Sequence, residues 1–131
     1  MSQEDVKIVH AAIEALNRGD LDAVLKDAAP DLVFDLSRSV GPFQGVYRLD
    51  EVRGVLGEFT GLWKSSRIEP DEFIDAGEHI VVPWTFHGAG RDGIEVQAHT
   101  TWVFTMRNGS IKRLCMYQER NEALAAANLL G

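Results

Sequence analysis

From Ser66 to Glu119 the chain alternates apolar and polar residues with a period of two, interrupted only at glycine-bearing turns. Four strands are predicted, near 66–75, 79–88, 94–106 and 110–119. They are separated by Ala76-Gly77, by the stretch Gly88 to Gly93, and by Asn108-Gly109. Asn-Gly between two alternating runs marks a two-residue hairpin, because both central residues of that turn need positive φ. Counting outward from the turn pairs Val103 with Leu114, Thr101 with Met116 and His99 with Gln118 on one face. The other face pairs Trp102 with Cys115, Thr100 with Tyr117 and Ala98 with Glu119. Both faces carry bulky apolar side chains, so both need a cover.

The N-terminal half has the helical period instead. Val6, Val9, Ile13 and Leu16 fall on one face, and Asn17-Arg18-Gly19 ends that helix. Asp20 is placed to cap a second short helix whose Leu21, Val24, Leu25 and Ala28 face inward and which Pro30 stops. Leu32, Phe34 and Leu36 alternate as a strand, and a turn-rich stretch follows. Asp50 is placed to cap a third helix with Val52, Val55, Leu56, Phe59 and Trp63 on one side. Gly54 and Gly57 cost that helix about 1 kcal/mol each relative to Ala, which points to close packing or mobility. An alanine-rich helix ends the chain. The elements predict an α+β fold over residues 1–131 as a single domain. Its strongly curved mixed or antiparallel sheet wraps around the N-terminal helices. Helices can cover one face of the sheet, so the outer face is expected to pair with a second copy in a homodimer.

A chain of 131 residues has room for one core. No apolar run approaches the ~20 residues that span a bilayer, so no membrane association is expected. Glu4 and Asp5 stand where a secretion signal would be basic, and a cytoplasmic location is expected. Cys115 is the sole cysteine, which excludes an internal disulfide and a thiolate-rich metal site. A formal charge of −7, with scattered basic residues, argues against a nucleic-acid partner. His10, His79, His87 and His99 show neither H-x-H nor H-E-x-x-H spacing. Gly88 to Gly93 fits G-x-G-x-x-G, but an alternating strand follows where a dinucleotide site needs a helix N-terminus. No tightly bound cofactor is expected.

Three stretches, "ALNRGDLDAVLKDAAPDLVFD", "IDAGEHIVV" and "WVFTMRNGSIKRLCMYQERNEAL", stand in the order helix, helix, strand, helix and four long strands. They resemble the nuclear transport factor 2-like superfamily, especially its SnoaL-like and ketosteroid-isomerase-like branches. The resemblance implies a cone-shaped, cystatin-like α+β roll with a conical pocket for a small apolar organic molecule, lined by Leu36, Trp84, Phe86 and Met116. It does not fix a reaction, because isomerases, cyclases, epoxide hydrolases, dehydratases and binding proteins share this fold. The catalytic groups of those branches are absent from the matching positions. Ala12 stands where ketosteroid isomerases have a tyrosine, Leu36 at their general-base aspartate, and Thr101 near their neutral acid. Trp84-Thr85-Phe86 replaces an Arg-x-Asp pair of the epoxide-hydrolase-like members, and Met116 lies near a second acid shared with SnoaL-like cyclases.

Candidate chemistry therefore rests on His99 and Asp35. His99 shares a side with Gln97, Thr101, Met116 and Gln118, the side expected to face the pocket. There it is a general acid or base within an apolar cavity, or a packing residue bonded to Gln118. Asp35, between Phe34 and Leu36, is either desolvated and raised in pKa, as a general base requires, or turned to solvent and to Ser37 and Arg38. An Asp35–His99 dyad is the most specific enzymatic arrangement. Tyr47, Phe59, Trp63 and Val103 complete the expected lining, with Arg38 and Tyr47 over the mouth. Gln97, Thr101, Gln118 and Tyr47 are its expected hydrogen-bonding groups. Two functions follow: a cofactor-independent isomerase, cyclase or lyase moving a proton next to a carbonyl, or a non-catalytic ligand-binding or scaffolding protein.

Overall fold

A computed structural model describes residues 2–39 and 41–130, with side chains for residues 3–39 and 41–127. The helices are α1 (Ser2–Arg18), α2 (Leu21–Val24), α3 (Leu49–Gly61) and α4 (Arg120–Leu130). The strands are β1 (Ala28–Asp35), β2 (Val46–Arg48), β3 (Ser65–Pro70), β4 (Ile74–Ala76), β5 (His79–Ala89), β6 (Glu95–Arg107) and β7 (Ser110–Tyr117). They form one curved, unclosed sheet in the order β2-β1-β7-β6-β5-β3, with β4 also on β5. The β1–β7 pair is parallel and the other pairs are antiparallel. The fold is the expected α+β class with a mixed sheet.

The N-terminal helices are tied down by polar side chains at their ends. Asn17, the penultimate residue of α1, meets Ile68 of β3 twice. Its Nδ2 donates to the Ile68 carbonyl at 2.8 Å, and the Ile68 amide donates to its Oδ1 at 2.7 Å. Asp20 caps α2 by accepting from the Ala23 amide at 3.1 Å, as its position predicts. This helix ends at Val24, well short of Pro30, which lies within β1 where the register against β7 slips between Ala28 and Val33. A proline has no N–H for a ladder, so an irregular strand segment accommodates it. At the start of α3, Glu51 accepts from the Arg48 amide at 2.9 Å, so Arg48 and not Asp50 holds the cap position, and Trp63 lies beyond that helix's end. The strand expected over 66–75 is broken into β3 and β4, and the Asp71 amide in the break donates to the Pro83 carbonyl at 2.8 Å.

The last hairpin turns at Asn108 (φ 53°) and Gly109 (φ 77°), and the pairs Arg107–Ser110 and Met106–Ile111 follow from it. The next pair is Thr105–Arg113, so Lys112 is an extra residue. This bulge corrects the register expected from the turn. Thr101 lies opposite Tyr117, Trp102 opposite Met116 and Val103 opposite Cys115. Side chains alternate along a strand, so an offset of one residue exchanges which faces meet.

The concave face carries Ile80, Val82, Trp84 and Phe86 of β5, Trp102 and Phe104 of β6, and Leu114 and Met116 of β7, packed with Val9, Ile13 and Val52 from α1 and α3. On the convex face Val81, Val103, Cys115 and Tyr117 pack against Ala123 and Ala127 of α4. The C-terminal helix thus supplies, within one chain, the second cover that the sequence pattern demanded. The expectation that helices could cover only one face is corrected.

Gly54 and Gly57 lie exposed on α3, and a Cβ built at either would meet nothing within 4 Å. Close packing does not account for them. A Gly54→Ala, Gly57→Ala double variant is expected to gain about 1–2 kcal/mol by reducing unfolded-state entropy. Urea unfolding reads the gain directly; an unchanged or lowered stability would show that these positions need glycine for another reason.

Candidate functional site

The concave face and the helices over it enclose a cavity of about 140 Å³. Leu36, Trp84, Phe86, Trp102 and Met116 form its sheet side, and Leu16, Leu56 and Phe59 its helix side. A second apolar cavity of about 60 Å³ shares Leu16, Phe34, Leu56 and Trp102 with it and reaches Ala12. Interlocked aromatic rings wall the larger space: Phe59–Phe86 at 5.3 Å, Trp63–Phe86 at 5.0 Å, and Trp84–Trp102 at 4.5 Å with an interplanar angle of 37°. The wall depends on Gly88. A Cβ there would come within 2.6 Å of the Phe86 ring and 2.8 Å of the Trp63 ring, so only a residue without a side chain lets Trp63 fold onto the sheet.

Among the described residues, no ionisable side chain lines the larger cavity. Most of its polar lining is already engaged. Both ends of the Asn17 amide are used by Ile68, Ser39 Oγ donates to the Leu36 carbonyl at 2.6 Å, and Thr60 Oγ1 donates to the Gly57 carbonyl at 3.2 Å. Trp84 and Trp102 differ. They are 5% and 6% exposed, and no acceptor lies within reach of either buried Nε1–H. Trp63 Nε1 is in the same condition, as is Thr100 Oγ1, which stands opposite Trp84 on the concave face.

Of the residues expected to form the site, Leu36, Phe59, Trp84, Phe86 and Met116 line the cavity. Trp63 stands behind Phe59 and Phe86, and Tyr47 packs near Phe34 while its hydroxyl donates to the Phe43 carbonyl at 2.9 Å. Gln97, His99, Thr101 and Val103 share the convex parity of β6, which corrects their expected placement; the Lys112 bulge is the physical reason. His99 is exposed and its Nδ1 lies 3.0 Å from Thr85 Oγ1, a hydroxyl that itself lies 3.2 and 3.3 Å from the two Asp71 carboxylate oxygens. With its single proton given to Asp71, the Thr85 oxygen accepts from a His99 Nδ1–H. Gln118 Nε2 donates to the Arg38 carbonyl at 3.2 Å, not to His99. The cavity residue that the sequence pattern misplaced is Trp102. Its signal was the bulk of Trp102, Phe104 and Met106 against Thr101, Val103 and Thr105 on the alternate side.

Asp35 also lies on the convex face, opposite Cys115. Its Oδ1 accepts from the Ser37 amide at 2.9 Å and the Ser37 hydroxyl at 2.5 Å, while Arg113 Nη2 donates to Oδ2 at 2.7 Å and Arg38 stands 3.9 Å away. Burial pushes this carboxyl upward, but the Ser37 hydrogen bonds and the Arg113 and Arg38 charges outweigh it and hold the pKa below its ordinary 3.8. That direction is opposite to the one a general base requires. Strand spacing and rise separate Asp35 from His99 by roughly 16 Å, too far for a dyad. Arg38, expected over the cavity mouth, lies instead over the Tyr117 ring at 4.9 Å. Burial, with the neighbouring Cys115, pushes the Tyr117 hydroxyl up to about 12.

A carboxyl with a depressed folded pKa stabilises the protein above its unfolded pKa and loses that contribution as pH falls through the folded value. Asp35→Asn is therefore expected to cost about 1–3 kcal/mol near neutral pH, through the lost Arg113 pair and Ser37 bonds. The gap from the parent should close as pH drops below about 4. Urea unfolding at pH 7 and pH 3 checks both, and a gap that is undiminished or wider at pH 3 contradicts the assignment.

Comparison with known proteins places this geometry. No curated protein matches the chain significantly. Among solved structures it is similar to an NTF2-like protein of unknown function from Burkholderia pseudomallei, at 26% identity and a TM-score of 0.78, covering 93% of this chain and 95% of that one. It is also similar in fold to TerC co-crystallised with polyporic acid, at 17% identity and a TM-score of 0.78, covering 95% and 98%. A hypothetical protein with a ketosteroid isomerase-like fold from Catenulispora acidiphila, in complex with trimethylamine, aligns at 14% identity and a TM-score of 0.74, covering 92% of each chain. The SnoaL-like domain matches residues 9–114, and the chain belongs to the SnoaL-like family.

Proposed function

We propose that the concave-face cavity binds a small, neutral and largely apolar organic molecule, and that no lining side chain serves it as a Brønsted acid or base. The observation that carries this reading is a lining of aromatic and aliphatic side chains without an ionisable group among the described residues. A charged ligand would be desolvated there without a counter-charge, at a cost of several kcal/mol. A volume of about 140 Å³ matches a ligand of about one or two rings, since an apolar cavity of roughly 150 Å³ takes up benzene. Similar folds have been crystallised with polyporic acid and with trimethylamine, so the scaffold admits small organic molecules of different kinds.

Proton transfer by His99 or Asp35 draws no support from their positions on the convex face. Each has a local structural role: His99 closes a chain of hydrogen bonds through Thr85 to Asp71, and Asp35 neutralises Arg113. Of the two functions considered from the sequence, the ligand-binding reading is favoured over the proton-transferring enzyme.

The test fills the cavity from its helix side. Leu56→Trp adds an indole where α3 faces the sheet, and it is expected to weaken uptake of an indane probe at least tenfold in calorimetric titration. His99→Ala should leave that affinity within twofold. Equal affinity in the parent and Leu56→Trp would place binding elsewhere, and a large loss in His99→Ala would return the site to the convex face.

A further inference from the structure

We propose that Trp84 and Trp102 are the specificity-determining donors of this cavity, and that its ligand presents a neutral acceptor oxygen, of carbonyl or ether type, to their indole N–H groups. The inference rests on the binding reading above and names the chemistry the ligand must carry.

The starting point is an imbalance of hydrogen bonding. Buried polar groups in folded proteins are paired, and leaving one unpaired costs about as much as the bond it lacks. Among the described residues, five buried side-chain polar atoms have no partner: Trp63 Nε1, His79 Nε2, Trp84 Nε1, Thr100 Oγ1 and Trp102 Nε1. His79 lies on the convex face, where its other ring nitrogen already meets Thr105 Oγ1 at 2.9 Å. The other four lie on the concave side. Trp84 and Thr100 are cross-strand partners there, Trp102 follows on the same face of β6, and Trp63 packs on Phe86.

Two of these residues, Trp84 and Trp102, line the cavity itself, with ring centroids 4.5 Å apart. An indole N–H donates and cannot accept, so the complementary group on a ligand is an acceptor. Of the other polar side chains in the lining, Asn17, Ser39 and Thr60 are engaged with the backbone, which leaves the Ser66 hydroxyl as the one further donor among the described residues. An anionic acceptor is excluded by the same lining, which holds no Lys, Arg or His. What remains is an uncharged oxygen on an otherwise apolar skeleton. Such a group gains two donors in a site that supplies dispersion contacts from every other direction.

The test compares 1-indanone with indane, which share a bicyclic skeleton and differ in a single carbonyl. The chain has three tryptophans, so the 15N-labelled protein gives three indole N–H resonances, assigned by the peak lost in each Trp→Phe variant. With 1-indanone, the Trp84 and Trp102 resonances are expected to move downfield; with indane they should not. In calorimetric titration the parent should bind 1-indanone more tightly than indane. Trp84→Phe and Trp102→Phe should each weaken 1-indanone roughly three- to tenfold and change indane less than twofold. Equal affinity for the two compounds, with no downfield shift, overturns this proposal while the binding reading stands. That comparison uses the parent protein alone and holds even where a variant fails to fold. If neither compound binds, the binding reading falls and this inference with it.

Discussion

Side chains along a strand alternate between faces, so one inserted residue decides the chemistry of two surfaces. In this protein that residue is Lys112. With the bulge in place, Trp102 and Met116 sit across from one another on the concave face, while Val103 and Cys115 meet beneath α4. The aromatic wall of the cavity, the seat for the C-terminal helix and the position of every polar residue on β6 follow from this register. The Asn108-Gly109 turn sets where the hairpin begins, and the bulge sets which side of β7 meets which side of β6.

One consequence is a sorting of chemistry between faces. The convex face holds the Asp35–Arg113 pair, Arg38 over the Tyr117 ring, and the His99–Thr85–Asp71 chain. The concave face holds broad rings and donors with no neighbour to accept from them. A charged pair on the convex side can be paired and half-hydrated at modest cost, whereas a charge among Trp84, Trp102 and Phe86 would have neither solvent nor partner. On the proposed reading the cavity therefore offers a neutral ligand shape, dispersion contacts and hydrogen-bond donors.

Much of this was legible in the residues. The 3.6-residue spacing of Val9, Ile13 and Leu16, the Asp20 cap and the Asn108-Gly109 turn each specify local structure through short-range physics, and each is found in place. Leu36, Trp84, Phe86 and Met116 were readable as inward-facing only through the resemblance to the nuclear transport factor 2-like superfamily, and all four line the cavity. The face of β6 was not readable from the turn. A bulge leaves no dedicated residue type, and Lys112 looks like any exposed strand lysine. What distinguished the faces was bulk, with Trp102, Phe104 and Met106 against Thr101, Val103 and Thr105, and that signal competed with a simple count from the turn. The role of Asn17 was hidden for a different reason. A helix-end asparagine reads as a local cap, and only the sheet supplies the Ile68 backbone groups that it bonds across 51 residues.

The central claim is that Lys112 is extra in the hairpin, so that Trp102 and not Thr101 faces the cavity. A nuclear Overhauser spectrum of the protein tests it most directly. The account predicts cross-peaks from the Trp102 indole to the Met116 methyl group, and from the Thr101 methyl group to the Tyr117 ring. Cross-peaks linking Thr101 to Met116 and Trp102 to Cys115 would contradict it and turn the other face of β6 inward.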